Sequence, residues 1–310
     1  MTVVSGFDRR RGALLGTFVG DALGMPFEGQ RRPRLDEPLE LLPARLGRGT
    51  YTDDTEMMMV VAEVLAEVGS CEEELLAGRF LSRHDRRRGY GAGTLRVFTL
   101  WRRRVPVAGA AARVFGGGSF GNGAAMRVAP VGAHFADDPE RLVAEASRSA
   151  RVTHAHPLGI EGAVAQAAAV GAAVRGQDPL HAALAVARQP ELRASLVRVQ
   201  TGLEESWSPE RVAAELGASS AAHESVPAAI LSAARADSLE AACTFAVRIG
   251  GDTDTIGAMA GAVAGARFGA STIPRRWLDG LEDGKYGRSH VERLAAALWA
   301  DDRRGGLTVR

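Results

Sequence analysis

Gly257, Gly261 and Gly265 recur every four residues in the run Ile256-Gly257-Ala258-Met259-Ala260-Gly261-Ala262-Val263-Ala264-Gly265-Ala266. At helical pitch they stack on one face, where no side chain keeps a neighbouring backbone away. A glycine inside a helix costs about 1 kcal/mol relative to alanine, so three on one face imply a packing reason. Immediately before them, Gly250-Gly251-Asp252-Thr253-Asp254-Thr255 is a glycine turn that becomes helix and carries two carboxylates. The sequence therefore predicts a central, tightly surrounded helix with an acidic site at its N-terminal end.

One aspartate suffices to cap a helix, and Asp252 or Asp254 alone would be read that way. A second acidic cluster, Tyr51-Thr52-Asp53-Asp54-Thr55-Glu56, precedes another apolar helical run, Met57 to Val68. Two aspartates beside threonine hydroxyls, found twice, predict two halves of one site. No cysteine or histidine is interleaved, so the donors are oxygens and the ion is a hard one: Mg2+, Mn2+ or Ca2+ rather than zinc. An EF-hand is excluded, because the twelfth position counted from Asp252 is Val263, where a bidentate glutamate is required. Four carboxylates exceed what one Mg2+ usually takes from protein, which favours a pair of ions.

The chain can surround such a helix. Its 310 residues are 46% hydrophobic and 24% charged, an ordinary globular composition that predicts one domain over residues 1–310, acting as a monomer. Net charge is +1, so neither nucleic acid nor an anionic membrane is expected as a direct partner. Lys285 is the only lysine, and the arginine clusters Arg9 to Arg11, Arg86 to Arg88 and Arg102 to Arg104 read as solvated faces. Cys71 and Cys243 suggest neither a disulfide framework nor a zinc site. Met1 to Arg11 lacks the apolar core of a signal peptide, and Asp21, Arg267 or glycines break the longest apolar runs, so a cytoplasmic protein is expected.

Helix signals recur throughout. Ser70 with Glu73 and Asp237 with Glu240 have capping-box spacing, while Asp138-Pro139, Asp178-Pro179 and Ser208-Pro209 read as caps followed by proline at the first helical position. Leu158 to Arg175, Leu180 to Arg188 and Leu239 to Ile249 have helical spacing, and alternating β-branched runs are scarce. The predicted fold is all-α, a compact orthogonal helical bundle with the site in loops at helix ends.

Gly116-Gly117-Gly118-Ser119-Phe120-Gly121-Asn122-Gly123 contains both G-x-G-x-x-G and G-x-S-x-G, but each of those motifs needs a preceding strand that is absent. Two readings remain open. Consecutive backbone N–H groups at Gly117, Gly118, Gly121 and Gly123 form an anion nest, with Ser119 and Asn122 adding hydrogen bonds and Phe120 stacking on a base or sugar. Alternatively, the segment is a glycine-rich turn with Phe120 buried. His154 and His156, in Thr153-His154-Ala155-His156-Pro157, lack a third nitrogen ligand, so one of them contacts a ligand phosphate or caps the helix opened by Pro157.

Five segments then stand in a familiar order: Gly12 to Gly24 leading to Pro26-Phe27-Glu28-Gly29, Thr52 to Thr55, Gly121 to Arg127, Thr153-His154, and Gly251 to Thr255. With them the chain resembles the ADP-ribosylglycohydrolase family from about Gly12 to Leu298. Arg88 to Gly93, Ser119 to Gly123 and Glu224 to Pro227 are similar to the branch acting on serine-linked ADP-ribose and poly(ADP-ribose), whereas Asp21 to Pro26 and Ser220 depart from it. The resemblance implies a metal-dependent hydrolase of the glycosidic bond of ADP-ribose on modified proteins, O-linked, with an arginine-linked hydrolase or a non-catalytic ADP-ribose-binding relative as alternatives. It implies two Mg2+ (or Mn2+) held by Thr52, Asp53 and Asp54 on one side and Asp252, Asp254 and Thr255 on the other. Glu28, on a mobile loop, would be both a metal ligand and the catalytic residue. Gly117, Gly118, Ser119, Phe120, Gly121, Asn122, Gly123 and His154 would hold the diphosphate and adenosine.

Overall fold

The glycine face meets its partner at the other end of the chain. In the computed structural model, which describes residues 4–29 and 38–299, the Thr253–Phe268 helix lies antiparallel against the Gly6–Gly24 helix. The first helix carries its own glycines at the same spacing. A Cβ added at Gly16 would lie 2.0 Å from the Gly261 carbonyl oxygen, and one at Gly261 would lie 2.1 Å from that of Gly16. Gly12 opposes Gly265 and Gly20 opposes Gly257 in the same reciprocal way. Both helices are buried through this contact. The pairing fixes a register: Gly24, at the end of the first helix, abuts Thr253, whose hydroxyl donates to the Gly24 carbonyl at 2.9 Å.

Around this pair the Pro157–Val174, Ala222–Arg235 and Leu239–Ile249 helices pack on the Thr253–Phe268 side. Asp53–Val68 and Arg288–Leu298 pack on the first helix. The described residues hold sixteen α-helices and one hairpin of two-residue strands, Pro43–Ala44 with Gly47–Arg48, so the fold is all-α. Buried apolar side chains from Ala13 to Trp299 form one hydrophobic cluster.

Asp138, Asp178 and Ser208 cap their helices, each followed by proline. Two expected caps are corrected. The helix after Ser70 starts at Glu73, with Glu72 at the cap position and no side-chain bond, because the intervening residues are not yet helical. The Leu239–Ile249 helix is capped by Ser238, whose extended backbone immediately before the first turn lets its side chain accept from the Ala241 N–H; Asp237 lies one residue too early. Contrary to the reading of apolar runs, the Pro157–Val174 helix is long and apolar enough to cross a membrane, yet 83% of it is buried, as in a core helix.

The glycine contact generates a direct test. Gly261→Ala should lower unfolding free energy by about 3 kcal/mol in urea titrations, since its methyl group would force the two backbones apart. Gly78→Ala, on an exposed helix face with open space around it, should instead raise stability by about 0.5 to 1 kcal/mol.

Candidate active site

The antiparallel register delivers both acidic clusters and Glu28 to one place. The first helix ends in a short 3-10 turn, Met25–Phe27, which presents Glu28 opposite the start of the Thr253–Phe268 helix. Gly29 donates its N–H to the Gly251 carbonyl at 3.5 Å. The other cluster opens the Asp53–Val68 helix, which begins ahead of the apolar run, so both aspartates stand in its first turn. Capping does not consume these carboxylates. Thr52 caps the Asp53–Val68 helix through its hydroxyl, and Asp252, at the cap position of the other, makes no side-chain capping bond.

The two clusters touch. Thr255 Oγ1 donates to Asp54 Oδ2 at 3.4 Å, across 201 positions of sequence, and Thr52 Oγ1 donates to the same oxygen at 3.0 Å. Glu28, Asp252 and Asp254 each offer an oxygen within 4.8 Å of the others. Asp54 Oδ1 is buried with no hydrogen-bond partner among the described residues. All of these groups except Thr52, which lies behind Asp54, line one cavity of about 400 Å3.

The electrostatics of this cavity are unbalanced. Burial pushes Asp53, Asp54 and Asp254 well above the usual carboxylate range, and neighbouring carboxylates push further, Asp21 first on Asp53 and Asp54 and Asp252 first on Asp254. Asp252 is raised by burial against the hydrogen bond from Asn122. No lysine or arginine forms an ion pair with the four aspartates among the described residues. Glu28, exposed at the rim, pairs with Arg45 at 3.1 Å. Its carboxyl is raised by burial, with Arg45 opposing and Asp252 adding to the shift. Buried negative charge with no ion-paired cation among the described residues, an all-oxygen donor set and an orphaned carboxylate oxygen fit a hard divalent cation.

Ser119, Gly121, Asn122, Gly123 and His154 line the same cavity. Asn122 Nδ2 donates to Asp252 Oδ2 at 2.7 Å and to Ser225 Oγ at 3.0 Å, which ties this loop to the acidic turn. His154 is buried, and burial first and Arg127 second depress its pKa to about 3, so its ring is neutral. Thr153 Oγ1 lies 2.8 Å from Nδ1, and Nε2 lies against Gly121 and Gly123. His156 is the residue that caps the Pro157–Val174 helix, accepting from the Leu158 N–H.

The glycine loop overturns the reading of a turn with Phe120 buried. Phe120 is half exposed, packed edge-on against His156 rather than buried, and it lies outside the cavity lining, as do Gly117 and Gly118. The nest is also partly closed, because the Gly118, Gly121 and Asn122 N–H groups already donate to the Val114 carbonyl, Ser119 Oγ and the Ser220 carbonyl. Phe115, in a left-handed backbone conformation, supplies the aromatic wall instead.

Several residues support the site in ways their sequence context did not specify. Asp21, fully buried and pushed to about 6 by burial, accepts from the Thr52 and Thr55 backbones and from the Thr55 hydroxyl at 2.5 Å, which holds the second cluster in shape. Glu56 points away from the cavity to accept from the Tyr90 hydroxyl and the Asp85 N–H. Arg88 pairs with Glu282 and donates to the Tyr51 carbonyl, securing the Gly89 to Thr94 lip. A polar residue seated at one end of an apolar helix, as Asp21 is, was the available hint.

Known proteins resemble this chain over nearly its full length. The family model "ADP-ribosylglycohydrolase" matches residues 3–307. ADP-ribosylhydrolase ARH3 of Bos taurus is 33% identical, with 94% of this chain and 92% of that protein aligned. The protein of the same name from Homo sapiens is 32% identical over the same shares, and that from Danio rerio 36% identical over 87% and 85%. A structure solved as an "ADP-ribosylglycohydrolase-related protein complex" superposes with a TM-score of 0.77 at 33% identity, covering 96% of this chain and 99% of that one. The chain therefore belongs to the ADP-ribosylglycohydrolase family, and its resemblance within that family is to the ARH3 branch.

Proposed function

We propose that this chain is a metal-dependent hydrolase that releases ADP-ribose from oxygen, on serine-modified proteins and within poly(ADP-ribose). The observation that carries the reading is the convergence of three buried aspartates, the half-buried Asp252 and Glu28, with no ion-paired cation on the aspartates among the described residues, in one cavity also lined by Ser119, Asn122 and His154. Thr52, Asp53 and Asp54 together with Asp252, Asp254 and Thr255 would hold two Mg2+, or Mn2+, with Glu28 a further ligand. When bound, the ions supply the positive charge these carboxylates lack and oxygen coordination for the hydroxyls of the reacting ribose.

Hydrolysis breaks the bond between the anomeric carbon and the leaving oxygen, adds the oxygen of water to that carbon, and returns a proton to the leaving group. Glu28 is the carboxylate suited to that proton, because it stands at the rim where solvent and substrate meet, while the aspartates lie deeper. Asn122 gives both side-chain amide hydrogens to Asp252 and Ser225, so its side-chain Oδ1 is left to receive a ligand hydroxyl. Neutral His154 contributes a hydrogen bond without charge. A serine oxygen leaves poorly unless protonated, whereas a guanidine is already basic, and this favours Glu28 chemistry on O-linked substrates.

Three outcomes are expected. Asp254→Ala abolishes turnover and lowers metal occupancy, and chelation silences the native protein until Mg2+ or Mn2+ is restored; full activity in excess chelator would sink the metal assignment. Asn122→Ala weakens ADP-ribose binding in calorimetry by about 1 to 3 kcal/mol, the range for a lost hydrogen bond that also leaves Asp252 less supported. Glu28→Ala keeps ADP-ribose affinity but loses most turnover of an ADP-ribosyl-serine peptide, and the native protein shortens poly(ADP-ribose) while leaving ADP-ribosyl-arginine nearly untouched. Faster release from arginine than from serine would reverse the linkage assignment.

A further inference from the structure

Glu28, Asp53, Asp54, Asp252 and Asp254 all line the cavity, and among the described residues no lysine or arginine does. Its proposed ligand carries a diphosphate. Two divalent ions bring four positive charges against these five carboxylates, so even a loaded floor has none to spare for phosphate oxygens. Like charges repel, which places the diphosphate away from the carboxylates, along the lining formed by Gly121, Gly123 and His154.

Behind Gly123 lies Arg127, whose side chain is fully buried. Nη1 donates to the Gly123 carbonyl at 3.3 Å and Nη2 to the Ser149 carbonyl at 2.7 Å. The guanidinium stands 4.9 Å from the centroid of the Phe80 ring, and Nε has no hydrogen-bond partner among the described residues. Buried charges are normally paired, yet no carboxylate forms an ion pair with Arg127 among the described residues. Burial lowers its pKa to about 10, so it stays protonated at neutral pH. Its charge is felt on both sides of the cavity, since it is second to burial in depressing His154 and is itself favoured by Asp53.

The same guanidinium ties two segments together. Ser149 lies in the last turn of the Pro139–Arg151 helix, and the Thr153 and His154 N–H groups donate back to the Ala150 carbonyl at 3.1 and 2.9 Å. Arg127 therefore grips the loop that carries Gly123 and the helix end that carries His154, where the two meet: a Cβ at Gly123 would lie 3.2 Å from His154 Cε1. We propose that Arg127 is the counter-charge for the diphosphate, acting from behind Gly123 and His154 and holding both in place without touching the ligand. It is a positioning residue, and the inference rests on the ADP-ribose reading of the cavity. A buried charge is weakly screened, so it acts at distances where a surface arginine would not. The phosphates keep their charge while the glycosidic bond breaks, so the contribution is to binding rather than to the chemical step.

The test compares the native protein with Arg127→Met, Arg127→Gln and Arg127→Lys, each as the full chain with saturating Mg2+. Met fills similar space, Gln keeps N–H donors without charge, and Lys keeps the charge. In Met and Gln, calorimetric affinity for ADP-ribose should fall about tenfold and KM for an ADP-ribosyl-serine peptide should rise about as much, with kcat within about twofold; Lys should recover most of the loss. Should the neutral variants fail to fold, the native protein decides: its ADP-ribose affinity should change less than about threefold between roughly 0.05 and 0.5 M NaCl, because the opposing charge is buried. A steep salt dependence would overturn the proposal, assigning the diphosphate to surface arginines. Native affinity in either neutral variant would overturn it as well, as would parallel losses of kcat and affinity that Lys does not restore, which would leave Arg127 a brace alone. A native protein that neither binds ADP-ribose nor releases it from the peptide removes the reading of the cavity itself, whereas native binding with indifferent variants removes only the role of Arg127.

Discussion

Two helices in backbone contact set the geometry of everything else. Seven glycines, four on the Gly6–Gly24 helix and three on the Thr253–Phe268 helix, let carbonyl oxygens of each approach the other to distances that any Cβ would forbid. Such a contact has little lateral freedom, because a slide of one residue would drive an alanine or leucine side chain into a carbonyl. Its register is therefore tight, and that register sets Gly24 against Thr253 and Glu28 against Asp252 and Asp254. A site assembled from loops would need many weak restraints to reach the same definition. Here the restraint is steric and lies in the core.

The carboxylates at the end of this pair make a demand that the protein alone does not meet. Asp53, Asp54 and Asp254 are buried, have their pKa values pushed upward by burial and by neighbouring carboxylates, and form no ion pair with a cationic side chain among the described residues. The surrounding residues act as scaffolding: Asp21 accepts from Thr52 and Thr55, Asn122 holds Asp252, and Thr255 reaches Asp54. These bonds orient oxygen atoms without neutralising them. The energetic strain of gathering like charges is sustained by the packing of the helices, which is where the glycine contact and the chemistry become one problem.

Much of this was legible in the residues. The period of Gly257, Gly261 and Gly265 announced a close partner, and the doubled aspartate–threonine clusters announced a divided oxygen site. What could not be read was which backbone groups remain available once the loops fold. Gly118, Gly121 and Asn122 looked like open N–H donors, yet each is committed to a partner, two of them brought by the chain's own folding from Val114 and Ser220. Phe115 rather than Phe120 lines the cavity for the same kind of reason. A glycine-rich segment permits many paths, and tertiary contacts with His156 and Gly93 select one. Asp21 was hidden differently, since a lone acid in an apolar helix has no pattern until its partners at Thr52 and Thr55 are seen.

The antiparallel glycine pairing also sets an order on how the molecule is made. Gly16 and Gly261 lie 245 positions apart, so the first helix leaves the ribosome long before its partner exists. At roughly 5 to 20 residues per second, that interval is about 12 to 50 s, during which an apolar helix destined for the core has nothing to cover it. Local helices can form in the meantime, but the centre of the fold must wait for the last quarter of the chain. Catalytic competence, which needs Glu28 beside Asp254, therefore arrives with near-completion of synthesis, and a chain truncated before Asp252 would carry a full second acidic cluster with no partner to face.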